Sequence, residues 1–181
     1  MRRERTSTHR KLSIYGFELV GGGHNFYALL EFDITKLRSY LRERRRAGDG
    51  GSFFAFMLKA IGTCVSENLL FNSFIDLRST TRFEEVDINI PVEIRRDGAW
   101  LTKQCIIRNI GAKSLAEVNR EIEAAKDAGD AEVGFVASKA TRALLGMLPA
   151  FIVRAIFRIV LSNHAWVQKF SGTLFVTSAS M

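Results

Sequence analysis

The chain has 181 residues, enough for one domain with a sizeable core and short for two. Hydrophobic residues make up 47% and charged residues 25%, a balance that excludes wholesale disorder. Twenty-six Lys and Arg against 19 Asp and Glu give a net charge of +7, which favours anions without naming one, while two cysteines, Cys64 and Cys105, exclude a disulfide framework or a cysteine-rich zinc site.

Residues 1–22 read as a basic N-terminal segment. Residues 1–12 hold no apolar run of the secretory kind, so a cytoplasmic location is expected. Residues 26–32 (FYALLEF) predict a buried strand. Asp33 then offers an N-cap for a helix with Ile34, Leu37 and Leu41 on one face. That helix ends in Arg42-Glu43-Arg44-Arg45-Arg46, where arginines suit the negative end of the helix dipole, and the Gly-rich run after Ala47 breaks it. Ser52 opens a second helix. Its expected buried face is Phe53, Phe56, Met57, Ala60, Ile61, Cys64 and Val65, with Lys59 and Glu67 lying off it.

Val86, Ile88, Ile90, Val92 and Ile94 alternate with Asp87, Asn89, Pro91 and Glu93, a period-two pattern that predicts a strand. Pro91 within it predicts an edge or a break in pairing. Arg96-Asp97-Gly98 is a turn signal, and residues 100–110 read as a returning strand. Ser114 and Glu117 form a capping box for a helix striped by Leu115, Val118 and Ile122, with Gly129 as its C-terminal stop. Residues 138–170 are helical with an interruption at Pro149, and residues 172–178 (GTLFVTS) close the chain as a strand. The order predicts a mixed α/β domain with helices on one side of a sheet.

Several chemistries are excluded by pattern. Gly21-Gly22-Gly23 precedes a strand instead of opening a helix, so it is no phosphate-binding fingerprint. There is no nucleophile elbow and no histidine pair at metal-ligand spacing, so no metal is expected. The apolar run 148–161 contains Arg154 and Arg158 and falls short of the roughly 20 residues a bilayer span requires. It reads as a core or subunit-packing helix, with contact at a membrane surface as the alternative. His24, beside the glycine run at the mouth of a strand, is a candidate to line a substrate pocket; the alternative is a structural loop histidine. His164, next to Trp166, reads as a packing residue, and His9 belongs to the basic terminus. The arginine run at 42–46 reads as a solvated helix end. It lacks the interleaved aromatics and motif of a nucleic-acid site, so nucleic acid is not an expected partner.

Six segments, in order, resemble the catalytic domain of 2-oxo acid dehydrogenase acyltransferases, the dihydrolipoamide acyltransferases that share a fold with chloramphenicol acetyltransferase. Residues 24–35 (HNFYALLEFDIT) resemble the family's His-Phe-Tyr strand running into an Asp-Val-Thr helix start. Residues 52–60 (SFFAFMLKA) are similar to its buried helix and 68–76 (NLLFNSFID) to the turn that follows. Residues 86–93 (VDINIPVE) resemble its Val-Asp-Ile strand, and 107–117 (IRNIGAKSLAE) the strand-to-helix joint with Lys-Ser-Leu. Residues 172–181 (GTLFVTSASM) resemble its Gly-Thr-Phe-Thr-Ile-Ser-Asn-Leu-Gly-Met.

The resemblance covers residues 23–181. It implies a chloramphenicol acetyltransferase-like two-layer sandwich built on a mixed sheet, and a homotrimer with active sites between subunits. The implied reaction moves an acyl group between a thioester, typically of dihydrolipoamide, and coenzyme A. A histidine base takes the thiol proton, the thiolate attacks the carbonyl, and a hydroxyl of the final strand stabilises the oxyanion. That hydroxyl falls on Thr177, where the family usually has serine; the alternative is a β-branched residue suited to a strand. The family's later Asp-His-Arg-x-x-Asp-Gly motif has no counterpart here: four residues after His9, His24 and His164 stand Ser13, Ala28 and Gln168. A lipoyl domain carrying a modified lysine is not matched either. The resemblance therefore implies a catalytic domain cut before its histidine motif and last strands, with negligible transfer by this chain alone. A non-catalytic assembly or ligand-binding module of the same fold is the alternative.

Overall fold

A computed structural model describes Lys11, Tyr15 and residues 27–48, 51–75, 80–96, 99–127 and 139–178. Residues 27–34 form no strand and run along the surface, with Tyr27, Leu29, Leu30 and Phe32 exposed. This corrects the buried strand expected at 26–32. An apolar run becomes a strand only beside an edge that takes its peptide groups, and none of the described strands pairs with it.

Helix α1 (Thr35–Arg46) has Ile34, not the expected Asp33, at its N-cap and no side-chain cap bond. Asp33 stands one residue earlier, where its Oδ1 accepts the Thr35 amide at 2.9 Å in a local turn, and the helix ends on Arg44, Arg45 and Arg46. Leu41 is its buried residue. Gly48 takes φ +79°, the left-handed conformation that stops a helix. Helix α2 (Phe53–Glu67) is capped by Ser52, whose hydroxyl accepts the Ala55 amide at 3.1 Å. Its buried residues are Ala55, Leu58 and Gly62, whereas Phe53 and Cys64 are exposed. The helix is thus turned from the face its bulky residues suggested, because small residues allow the closest approach. A Cβ at Gly62 would overlap the Ile110 side chain. Lys59 lies half-buried and donates from Nζ to the carbonyls of Ile110 and Gly111 at 3.2 and 2.8 Å.

Strands β1 (Ser73–Ile75) and β2 (Thr80–Arg82) pair as a small antiparallel hairpin. Buried Asn72 holds its base, donating from Nδ2 to the carbonyls of Phe83 and Glu85 at 3.0 and 2.9 Å. Strands β3 (Ile88–Arg96) and β4 (Ala99–Ile107) form a second antiparallel pair, with Ile88 opposite Ile107 and Ile90 opposite Cys105. A 3-10 turn (Ile110–Ala112) leads to α3 (Leu115–Asp127), where Ser114 and Glu117 make the expected capping box. Asp97, Gly98 and Gly129, read as a turn and a helix stop, lie outside the described residues.

The C-terminal helical region breaks twice, giving α4 (Lys139–Met147), α5 (Ala150–Ser162) and α6 (His164–Ser171). The second break, not expected from the pattern, is set by Asn163, whose side chain accepts the Trp166 amide at 3.2 Å. Strand β5 (Leu174–Phe175) then joins β3 in parallel, giving the order β4-β3-β5.

Ala55 and Leu58 of α2, Ile88, Ile90 and Val92 of β3, Ile107 of β4, and Val118 and Ile122 of α3 share one core. Two helices thus cover one face of a mixed sheet, in two layers. Leu145 and Val153 hold α4 against α5 in a smaller cluster that includes Tyr15.

Candidate functional site

The site grows from the join between β3 and β5. The Leu174 amide donates to the Asp87 carbonyl at 3.1 Å and the Val176 amide to the Asn89 carbonyl at 2.9 Å. Peptide groups of alternate strand residues face alternate neighbours, so Pro91 is next on that side. It has no N–H to carry the ladder on, and the parallel register stops after Asn89–Phe175. The break expected at Pro91 is therefore real, and it falls on the β5 side while pairing with β4 continues through Gln104. Leu174 and Val176 pack on the core, which leaves Phe175 and Thr177 on the opposite face, where both are exposed. Thr177, two residues past the end of β5, is exposed, as are Glu93 of β3 and Gln104 of β4.

An ion pair between a buried carboxylate and a partly exposed guanidinium fixes this strand. Asp87, 3% exposed at its side chain, accepts from Arg108 Nη1 at 2.8 Å and from the Asn109 amide at 2.9 Å. Arg108 Nη1 also donates to the Gln168 carbonyl at 2.6 Å, and its Nη2 donates to the Lys169 carbonyl. Its charge therefore sits on the last-turn carbonyls of α6, the negative end of that helix. Gly172 follows with φ +72°, and a Cβ there would lie 2.8 Å from the Asp87 carbonyl. The Thr173 amide donates to that carbonyl at 2.8 Å, and its hydroxyl accepts the Asp87 amide at 3.1 Å. Asn89, also buried, donates from Nδ2 to Ser171 and to Gln104 Oε1. Neither Asp87 nor Arg108 was singled out from the sequence. The available signal is an aspartate at the polar phase of the strand.

His24 lies outside the described residues, as does His9. His164 is the one histidine among the described residues. Its Nδ1 is 2.7 Å from Thr81 Oγ1, and its ring stacks on Phe74 with centroids 5.0 Å apart. It opens α6, whereas β5 follows that helix, so roughly 12 Å of helix axis lies between His164 and the strand carrying Thr177. Burial, aided by Glu121, raises the Cys105 thiol above its ordinary range, only partly offset by Lys103 and Lys113. Cys105 is a neutral thiol packed on the core, unsuited to be a nucleophile. Among the described residues no group of three or more His, Cys, Asp and Glu is placed to hold a metal ion. No single helix among them is long and apolar enough to cross a bilayer.

The sequence matches no protein-family model, and no curated protein matches it significantly. Solved structures do match in fold. A dihydrolipoamide acetyltransferase from Azotobacter vinelandii, studied for the role of a serine, a histidine and an asparagine in its catalytic mechanism, superposes with a TM-score of 0.56 at 20% identity. That match covers 71% of this chain and 56% of the other. A truncated catalytic core of the 2-oxoacid dehydrogenase multienzyme complex from Thermoplasma acidophilum gives 0.56 at 18% identity over 71% of this chain and 61% of that one. A probable dihydrolipoamide acetyltransferase from Listeria monocytogenes gives 0.55 at 19% identity, covering 100% of this chain and 68% of that one. The fold is thus that of these acyltransferase catalytic cores, and the chain spans little more than half the length of the first of them.

Proposed function

We propose that this chain serves acyl transfer of the 2-oxo acid dehydrogenase type, between a thioester such as that of dihydrolipoamide and coenzyme A. The observation that carries the reading is the fold of dihydrolipoamide acetyltransferase cores, and the exposure of Thr177 shortly after β5 is compatible with its hydroxyl serving as the oxyanion donor. In the reaction the attacking thiol loses its proton to a base, and the new S–C bond pushes the carbonyl electron pair onto oxygen. The Thr177 hydroxyl donates a hydrogen bond to that oxyanion, which collapses and expels the other thiolate. His164 is engaged with Thr81 and takes no part in the proton transfer. His24 is the candidate pocket residue of this chain, and the base is assigned to a histidine of the kind the resemblance implies. Coenzyme A enters as substrate.

A cytoplasmic homotrimer is the assembly we propose. The exposed apolar residues Tyr27, Leu29, Leu30 and Phe32, in one stretch, support burial against another subunit. So does the multienzyme complex to which the Thermoplasma acidophilum core belongs.

Acyl exchange between acetyl-coenzyme A and dihydrolipoamide, measured for the protein that carries this chain, tests the reading. Thr177→Val is expected to lower kcat about ten- to a thousandfold, the scale of one oxyanion donor, with KM little changed. An active protein indifferent to that substitution removes Thr177 from the mechanism. A well-folded protein with no exchange leaves the fold as an assembly or ligand-binding module.

A further inference from the structure

All 19 acidic residues lie at or before Glu132, whereas Lys139, Arg142, Arg154, Arg158 and Lys169 all follow it. The C-terminal helices therefore carry cations without a single carboxylate side chain. In α5, Phe151, Arg154, Ala155, Arg158 and Ile159 follow one another at i, i+3, i+4, i+7 and i+8, and all are exposed. The buried Val153 and Val160 occupy the other side. Leu144 and Met147 of α4 are exposed as well, so apolar side chains gather on either side of Pro149, where Met147 is 84% and Phe151 71% exposed. None of them holds the hairpin together. That is done by Leu145 and Val153, with Leu148, Ile156 and Phe157 packed against them. The Arg154 guanidinium lies 5.1 Å from the Tyr15 ring centroid, which holds its charge along the surface.

We propose that the α4–α5 hairpin is a peripheral docking surface for an anionic lipid bilayer. Apolar side chains at the hairpin tip enter the boundary of the acyl chains, while Arg154 and Arg158 stay level with the phosphates. The mixture of groups selects this occupant. Arginines flanking an apolar tip, in helices that carry no carboxylate, match the anionic headgroups and apolar interior that a bilayer offers at adjacent depths. A second copy, basic in this same stretch, would set like charges against each other. The contact is with the surface, since α5 and α6 meet at a 100° bend and neither is long enough to cross.

The test uses the 181-residue chain and cosedimentation with two kinds of vesicle, phosphatidylcholine alone and an equimolar mixture with phosphatidylglycerol. Binding is expected to the mixed vesicles, weakening as salt rises. Arg158→Gln should lower the partition coefficient about fivefold, and Arg154→Gln by a similar factor. Met147→Ser combined with Phe151→Ser should lower it at least as much, with the circular dichroism of the chain unchanged because both positions are exposed. Failure of the parent chain to bind mixed vesicles at low salt overturns the proposal. So does equal binding to both vesicles, or binding indifferent to Arg158→Gln. An oligomer that Phe151→Asp dissociates, and that does not bind vesicles, would assign the face to a second copy and likewise overturn it.

Discussion

Arg108 reaches with one guanidinium nitrogen both the buried carboxylate of Asp87, at 2.8 Å, and the Gln168 carbonyl, at 2.6 Å. Through that one atom the base of β3 is tied to the last turn of α6, the turn from which Gly172 and β5 emerge. Arg108 thus anchors both the strand that β5 joins and the helix that leads into β5.

Arg108→Met keeps the aliphatic stem and removes the charge. It leaves Asp87, 3% exposed, with the Asn109 amide as a partner and the α6 carbonyls without theirs. Fully enclosed pairs lose about 3–5 kcal/mol on such a change. Arg108 is 41% exposed, so water reaches the vacated position, and a loss of about 2 kcal/mol is expected in urea unfolding. Arg108→Lys should recover only part of it, because an ammonium cannot span three acceptors with a planar fork.

Gly172→Ala tests the join from the other side. The φ of +72° disfavours alanine, and its Cβ would meet the Asp87 carbonyl at 2.8 Å, so a loss of about 1–3 kcal/mol is expected. Hydrogen exchange should locate it. The Thr173, Leu174 and Val176 amides, which donate to the Asp87 and Asn89 carbonyls, should lose protection while α3 keeps its own. Unchanged exchange at those three amides would show that the close approach does not govern β5.

Much of this architecture is legible in the sequence where the cause is local. The Ser114–Glu117 capping box, the Ser52 cap and the Pro91 break need only residues a few positions apart, and each stands where its chemistry placed it. Errors arise where tertiary contact decides. The large side chains of helix α2 suggest a different buried face, yet Ala55, Leu58 and Gly62 face the core, and Gly62 lets Ile110 approach. The run at 26–32 has the composition of a strand without an edge beside it. Asp87 and Asn89 sit at the polar phase of β3 and are nevertheless buried, because β5 and the end of α6 hold that side through partners some 82 to 86 residues away. The assignment of Thr177 rests on motif resemblance alone, whereas the pairing of Asp87 with Arg108, which ties β3 to the end of α6, shows no sign in the sequence.

The two cysteines should differ in reactivity. Cys64 is exposed on α2, whereas Cys105 packs on the core with its thiol held above the ordinary range, chiefly by burial. The thiolate is the alkylated species, so iodoacetamide at neutral pH should modify Cys105 at least about tenfold more slowly than Cys64. Peptide mass spectrometry over time reads both rates in one sample. Denaturant should bring them together.

The capping box of α3 predicts an acid-sensitive contribution to stability. The Glu117 carboxyl lies below its ordinary range, held there first by the Ser114 hydroxyl and then by the Ser114 amide, both at 2.7 Å. A carboxylate lowered in the folded state stabilises the fold fully above its unfolded value, about 4.3 for glutamate, and loses that contribution as pH falls through the lowered folded value. Ser114→Ala removes the hydroxyl bond, so the Glu117 carboxyl should titrate closer to the ordinary glutamate value, which NMR of its side-chain carbonyl carbon reads directly. The loss of Tm caused by Ser114→Ala should accordingly be larger at about pH 6 than at a pH below the lowered folded value, where Glu117 is protonated in parent and variant alike. A Tm difference that is the same at both pH values would mean that the serine acts only as a neutral cap for the Glu117 amide, which it meets at 3.3 Å, and that the carboxylate contributes nothing to the helix start.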